Sequence, residues 1–354
     1  MKIADFIGNA RIVHLLTRGK LPPSTLFSGP DGVGKRTLAL LLAARANCKE
    51  SGGSDVCGTC RSCQKALQTM VAPVTRDENV ALSSIIQDHP DIVLVRPGLL
   101  DPAKEKRRRK PPFSIGIDTI RFLDNEAHYR PFESQHRFFV IDEAEKMTPE
   151  AANSLLKTLE EPPATTSILL VTAFPQQLLP TIRSRCQNFV FLPLSRAETT
   201  EYLTDKTSLE NCQLRACFSN GSIGKALDLD LETMLKERDE MLAVLEAWVA
   251  SPRFQTIFER CEKEPLRSKL RKKISGLSFL DSLLTLCHDV YFLQVDTSNR
   301  VVNEDQIGRL RRISDGLTLE ELRYLISGVT EAQQDIRRNV NPRMCFETLW
   351  LKKS

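Results

Sequence analysis

The stretch Thr25-Leu26-Phe27-Ser28-Gly29-Pro30-Asp31-Gly32-Val33-Gly34-Lys35-Arg36-Thr37 runs from an apolar β-type segment through three glycines into the helical pattern Leu38–Ala46. That order is the context a phosphate-cradling loop requires. The glycines let successive N–H groups converge on an anion, and the helix N-terminus adds a favourable field. Lys35 is spaced to reach the outer phosphates of a nucleotide. The candidate nucleotide-binding residues here are Gly29, Gly32, Gly34, Lys35 and Thr37. One position departs from the pattern: the residue after the lysine is normally Ser or Thr, whose hydroxyl ligates Mg²⁺, and here it is Arg36. Thr37 sits one residue too far along. A guanidinium cannot ligate a metal, so ATP/ADP binding with ordinary Mg²⁺ ligation, and hydrolysis, are both brought into question.

Outward from this loop, short apolar runs alternate with longer helical patterns, which predicts a parallel sheet with crossover helices. Expected strands are Thr25–Phe27, Ile92–Val95, Phe138–Ile141, Ile168–Val171 and Phe189–Leu192, each nearly all apolar, as strands covered on both faces should be. Expected helices are Leu38–Ala46, Ile117–Asn125, Pro149–Glu160 and Leu178–Ser184. The third is bounded by Thr148 as its cap, Pro149 in its first turn and Pro162-Pro163 beyond it. Past Ser195 the β signal disappears, and the patterns Met234–Val249, Phe279–Leu293 and Leu317–Asn339 are helical. The expected organisation is an α/β core over residues 1–193, a small helical unit over 194–230 and a larger helical bundle over 231–354.

The run Phe138-Phe139-Val140-Ile141 ends in Asp142-Glu143. In a working ATPase the first carboxylate would hold Mg²⁺ through water and the second would polarise the attacking water. Acids that merely cap the next helix are the plainer reading, and the upstream glycine loop favours the catalytic type. Thr172, ending the run Ile168–Val171, is either a γ-phosphate sensor or a turn residue.

Four of the ten cysteines crowd into sixteen residues, with Cys57, Cys60 and Cys63 at C-x-x-C-x-x-C spacing and Cys48 before them. Four thiolates close a tetrahedral shell, which points to a structural Zn²⁺ in an inserted module over 48–63. An iron–sulfur cluster is the rival, without a redox motif elsewhere to support it. The scattered Cys186, Cys212, Cys217, Cys261, Cys287 and Cys345 are expected as small buried hydrophobes.

Length and composition agree with this plan. A chain of 354 residues exceeds the size of most single cores, and 41% hydrophobic with 27% charged residues is ordinary for a globular protein. The net charge of +4 is far from the excess of a dedicated nucleic-acid binder. No export signal or run long enough to span a bilayer is present, so the expectation is a cytoplasmic protein without membrane contact. Thr69–His89 is polar and irregular. The cluster Lys104, Lys106, Arg107, Arg108, Arg109 and Lys110 reads as a solvated loop, with a DNA-backbone contact as the sharper alternative.

Taken together, these features resemble the AAA+ subunits of the bacterial DNA polymerase III clamp loader. The resemblance is carried by Phe6-Ile7-Gly8, the glycine loop, the cysteine module, Asp142-Glu143, Asn153-Ser154-Leu155-Leu156-Lys157-Thr158-Leu159-Glu160-Glu161-Pro162-Pro163, Ser184-Arg185-Cys186 and Asn339-Val340-Asn341-Pro342-Arg343. It implies an AAA+ P-loop core, a helical lid and a helical collar. It also implies that Phe6–Gly8 pack near a nucleotide base and that the zinc is structural. Arg185 would be an arginine finger in the neighbouring subunit's ATP site, where a fixed guanidinium offsets charge on the transferred phosphoryl group. Implied partners are tau/gamma and delta subunits in a hetero-pentameric ring, with the sliding clamp and primed DNA reached through the assembly. Members divide into a hydrolysing tau/gamma motor and a non-hydrolysing stator. Arg36 favours the stator, as does Gly224, which stands where motors place a sensor arginine. A chain end soon after the collar helices, without tau's long extension, points the same way.

Overall fold

The structure, a computed structural model, describes residues 2–19, 21–50, 55–71, 85–97, 114–207, 209–250, 273–295, 300–338 and 340–351. They fall into two compact units, Met1–Asp228 and Leu229–Ser354. The basic cluster 104–110 and Cys261 lie outside the described residues.

The first unit is built on a six-stranded sheet. β1 (Ser24–Ser28) lies parallel between β5 (Thr166–Thr172) and β6 (Gln187–Val190). β4 (Arg137–Ile141) pairs in parallel with β5, and β3 (Ile92–Val95) with β4. β2 (Ile85–His89) adds antiparallel to β3, giving the order β2-β3-β4-β5-β1-β6. Every residue of β1, β3, β4 and β5 is buried, because helices cover both faces and leave neither side of the pleat to water. Alternate residues feed two cores. Phe27, Leu94, Phe138, Val140, Leu169 and Val171 face one, and Leu26, Val95, Phe139, Ile141, Ile168 and Leu170 face the other.

Helix α1 (Ala10–Arg18) precedes the sheet, and α2 (Lys35–Ala46) opens directly from the glycine loop with Leu38–Ala44 all buried. α3 (Arg61–Val71) packs on α2 and β2. α4 (Ile117–Ala127) packs on α5 (Pro149–Glu160), whose N-terminus is capped by the Thr148 hydroxyl accepting from Ala151 N–H at 3.3 Å. A single turn, α6 (Pro180–Arg183), stands where the longer helix Leu178–Ser184 was expected. Next come α7 (Arg196–Lys206), α8 (Cys212–Phe218) and α9 (Ile223–Asp228), which share a small core of Leu203, Ala216 and Ala226.

Two local expectations are corrected. The irregular reading of Thr69–His89 is corrected at its two ends, where residues 69–71 finish α3 and Ile85–His89 form β2, an edge strand whose polar Gln87 and Asp88 are exposed; residues 72–84 lie outside the described residues. The sheet is therefore mixed at that edge. The last strand begins at Gln187, two residues earlier than Phe189, because the ladder to β1 uses Gln187–Val190. Leu192 falls outside the strand and is 66% exposed, and the Asn9 side chain bonds its N–H at 2.8 Å and its C=O at 3.0 Å in place of a neighbouring strand.

The second unit is helical: α10 (Leu231–Ala250), α11 (Lys273–Gln294), α12 (Ile307–Asp315), α13 (Leu319–Arg337) and α14 (Pro342–Leu351). Its core gathers Trp248, Phe279, Leu283, Val290, Ile313, Leu325 and Phe346. Thr318 and Glu321 cap α13 reciprocally, so the helix starts two residues after the expected Leu317. Buried Asp289 accepts N–H bonds from Val302 and Asn303, pinning the turn before α12. Among the described residues, no helix is long and apolar enough to cross a membrane.

Candidate functional site

Parallel strands end together, and in such sheets the crevice beyond their carboxyl ends is where ligands bind. Here the glycine loop follows β1, Arg96 follows β3, Asp142 follows β4 and Thr172 ends β5. They line a cleft of about 800 Å³, together with Gly32, Gly34, Lys35, Thr37, Glu143, Glu145 and Lys146. Phe6 and Ile7 from the N-terminal segment, with Tyr202, Ile223 and Leu227 from α7 and α9, form an apolar wall.

Two close approaches explain glycines in this loop. Gly34 has φ +93°, and a Cβ there would lie 2.8 Å from the Phe6 ring, which rests on the loop. Gly224 donates its N–H to Gly32 O at 3.0 Å, and a Cβ on Gly224 would come within 3.1 Å of Gly32 Cα. The start of α9 thus touches the loop backbone to backbone, which is the physical reason a small residue stands at 224.

The charged groups are already paired. Lys35 is buried, with its ammonium donating to Gly29 O at 2.6 Å and Pro30 O at 2.5 Å, and burial lowers its pKa. Gly29 itself does not line the cleft wall; it contributes that carbonyl. Arg36 Nη1 donates to Asp142 Oδ2 at 2.9 Å, and Arg96 Nε lies 3.7 Å from the same oxygen. Burial, then the neighbouring Arg36 charge, pushes the Arg96 pKa down. Glu143 adopts φ +50° and pairs with Lys146. The Thr172 hydroxyl donates to Glu145 Oε2 at 2.6 Å and accepts from Phe174 N–H at 3.0 Å, and burial raises the Glu145 pKa. The residues do not fit the Mg²⁺ that such a cleft ordinarily holds. The hydroxyl ligand is missing, and two guanidinium groups flank the carboxylate that would stand behind the ion.

A second centre lies in the inserted module. The Sγ atoms of Cys48, Cys57, Cys60 and Cys63 all fall within 4.8 Å of one another, and Cys57 and Cys63 are 3.8 Å apart. A tetrahedron with Zn–S bonds of about 2.3 Å has edges of about 3.8 Å, so the four thiols fit a closed metal shell. The Cys60 and Cys63 N–H groups donate to the sulfurs of Cys57 and Cys60 at 3.3 and 3.4 Å, bonds that favour thiolates. Cys60, Cys63 and Val56 belong to the sheet's own core. Between them, Ser62 Oγ bonds Asn47 O at 2.9 Å and His89 Nε2 at 2.9 Å, fastening α3 to β2. The Asp55 carboxylate accepts from Ile3 and Ala4 N–H at 2.9 and 3.3 Å, tying the module to the segment that carries Phe6. Of the other cysteines, Cys186, Cys217, Cys287 and Cys345 are buried and Cys212 half-buried. Burial pushes the Cys186 and Cys287 thiols up to about 12.

Arg185 is not among the residues lining the cleft. Its Nε donates to Glu160 Oε1 at 2.6 Å and its Nη1 to Thr181 O at 2.9 Å, with 31% of the side chain exposed. The structure thus joins two motifs through residues 25 positions apart, Glu160 of the run Asn153–Pro163 and Arg185 of the Ser-Arg-Cys triplet. Sequence reasoning missed Arg96, Glu145, Lys146 and Tyr202 as cleft residues and Glu160 as the anchor of Arg185. Arg96 carried a usable signal, since it directly follows an expected strand.

A sheet in this order, parallel except at its β2 edge, with the glycine loop after β1 and a paired-acid strand end on β4, defines a P-loop protein of the AAA+ class. Within that class the chain belongs to the DNA polymerase III delta subunit family, whose profile matches residues 9–195. It is 28% identical over 342 residues to DNA polymerase III subunit delta' of Bacillus subtilis (strain 168), covering 96% of this chain and 93% of that protein. To DNA polymerase III subunit gamma/tau of Mycobacterium tuberculosis (strain ATCC 25618 / H37Rv) it is 34% identical over 192 residues, which is 53% of this chain and 28% of that longer protein. A DNA polymerase III gamma subunit-related protein from Thermotoga maritima superposes with a TM-score of 0.41 at 19% identity, covering 95% of each chain.

Proposed function

We propose that this chain serves DNA replication as the stator subunit of a bacterial clamp loader, the delta' role. In it the chain would help place the sliding clamp on primed DNA and donate Arg185 to a neighbour's ATP site. The observation that carries this reading is the state of Arg185, a part-exposed arginine that stands outside its own cleft and is held by Glu160 and Thr181. A guanidinium fixed in advance costs no reorganisation when charge develops on a phosphoryl group beside it, which is what a finger offered in trans requires. Arg36 opposes the hydrolysing tau/gamma role, because it bonds the carboxylate that would organise the metal. The cleft would then hold ATP or ADP without turnover, with Lys35 drawn from its loop carbonyls toward phosphate and Phe6 and Tyr202 beside the base. Thr172, committed to Glu145 and Phe174, would act through them and not directly as a sensor.

In the same reading Cys48, Cys57, Cys60 and Cys63 hold a structural zinc that anchors the module to the core. Residues 194–230 form the lid, and 231–354 the collar that joins tau/gamma and delta subunits in a hetero-pentameric ring. The test is reconstitution of the loader from this chain and its partners. Arg185→Ala should depress the ATPase of the assembly while the isolated chain shows negligible turnover before and after the change. Full activity of the assembly with Arg185→Ala refutes the finger.

A further inference from the structure

We infer that the cleft takes a nucleoside di- or triphosphate as its metal-free anion, with the Arg36 guanidinium standing where other P-loop proteins hold Mg²⁺. This rests on reading the cleft as a nucleotide site. Three observations carry it. First, Asp142 is satisfied: Arg36 Nη1 sits 2.9 Å and Arg96 Nε 3.7 Å from its Oδ2, and only 10% of its side chain is exposed. A divalent cation reaching that oxygen would have to displace one guanidinium and would be repelled by both. Second, the neighbouring acids are engaged. Glu143 pairs with Lys146, and Glu145 accepts from Thr172. Asp5, Asp31 and Asp228 also line the cleft and are exposed to water.

Third, the cleft carries four cationic side chains beside its six acids, and three of those acids are already paired or hydrogen-bonded. Lys35, Arg36, Arg96 and Lys146 line it alongside the loop N–H groups. Polyphosphate bound by P-loop proteins ordinarily has part of its charge neutralised by the metal, and a planar guanidinium can take that place, offering paired N–H donors that match phosphate oxygens. What it cannot do is hold and polarise an attacking water, so binding is separated from hydrolysis. The retained loop and apolar wall are then explained as a nucleotide seat that rigidifies the contact of α9 with the loop.

The experiment is calorimetric titration of the full chain with ADP and with ATP, in excess Mg²⁺ and in excess EDTA. The expected result for the wild type is a Kd in EDTA within about threefold of that in Mg²⁺, or tighter. Arg36→Thr, which restores the hydroxyl and removes the competing cation, should bind at least about tenfold more weakly in EDTA than in Mg²⁺. Arg36→Lys keeps the charge and should keep the indifference to metal, and it decides the matter if melting curves show that Arg36→Thr does not fold. Wild-type binding that requires Mg²⁺ overturns the inference alone, as does an Arg36→Thr variant as indifferent to metal as the wild type. A chain that binds neither nucleotide in either buffer overturns the nucleotide-site reading as well. Neither result touches the role of Arg185, which the assembled loader reports separately.

Discussion

Replacing Glu160 by Ala tests whether Arg185 is held ready or merely resides at the surface. The change removes the carboxylate that accepts Arg185 Nε at 2.6 Å, leaving the bond from Nη1 to Thr181 O at 2.9 Å. The side chains are 31% and 48% exposed, so the pair is screened by water and contributes only about 0.5 kcal/mol to folding. The melting temperature should therefore move by only about 1–2 °C. The consequence for a neighbouring ATP site is larger. A guanidinium with one anchor must be ordered again during each turnover, at about 1–1.5 kcal/mol for a long side chain. That corresponds to a roughly five- to tenfold fall in kcat of the reconstituted loader. Because the arginine acts as charge develops, KM for ATP should stay within about twofold of wild type. Arg185→Ala should lower kcat further, since it deletes the guanidinium itself. Unchanged kcat in Glu160→Ala beside a crippled Arg185→Ala would refute preorganisation by Glu160. A loss of kcat accompanied by a melting-temperature drop beyond about 5 °C would reassign Glu160 to the fold.

The remaining predictions concern the inserted module and its neighbour. Titrating the purified chain with a mercurial reagent should release one zinc as about four thiols react, and metal-free protein should melt at lower temperature, because binding free energy at such a site is folding free energy. Release without thiol modification, or iron in place of zinc, would contradict the assignment. His89 yields a pH dependence. It is fully buried, and its Nδ1 accepts from Asp91 N–H at 3.0 Å, so the ring is held neutral. Burial lowers its pKa despite Glu133 and Asp91, with Lys65 and Lys49 adding to the fall. The unfolded chain takes up a proton near pH 6.5 that the folded chain refuses, so stability is complete above about that pH and declines below it. Urea midpoints should fall between roughly pH 7 and 5.5 for the wild type and fall less for His89→Gln; parallel curves would refute the linkage.

The glycine loop, the paired carboxylates after an apolar run and the cysteine spacing are all local patterns, and each could be read from the chain because its chemistry depends on residues a few positions apart. The same holds for four of the five expected strands, whose continuous apolar runs mark burial on both faces. β2 escaped because its alternation is short and polar at Gln87 and Asp88, as an edge strand permits. Arg36 was legible as the wrong residue for a metal ligand, but not as the partner of Asp142, 106 positions away. Sheet order decided that contact: β1 and β4 flank β5, so the loop after one and the acid after the other meet beyond their carboxyl ends. Folding likewise set Arg185 against Glu160, Arg96 beside Asp142 and Gly224 against Gly32. Local spacing thus determined that the glycine loop could cradle phosphate. Only the order of distant strands set the Arg36 guanidinium against Asp142, because strand neighbours are chosen by packing of the whole sheet and leave no periodic trace in the chain.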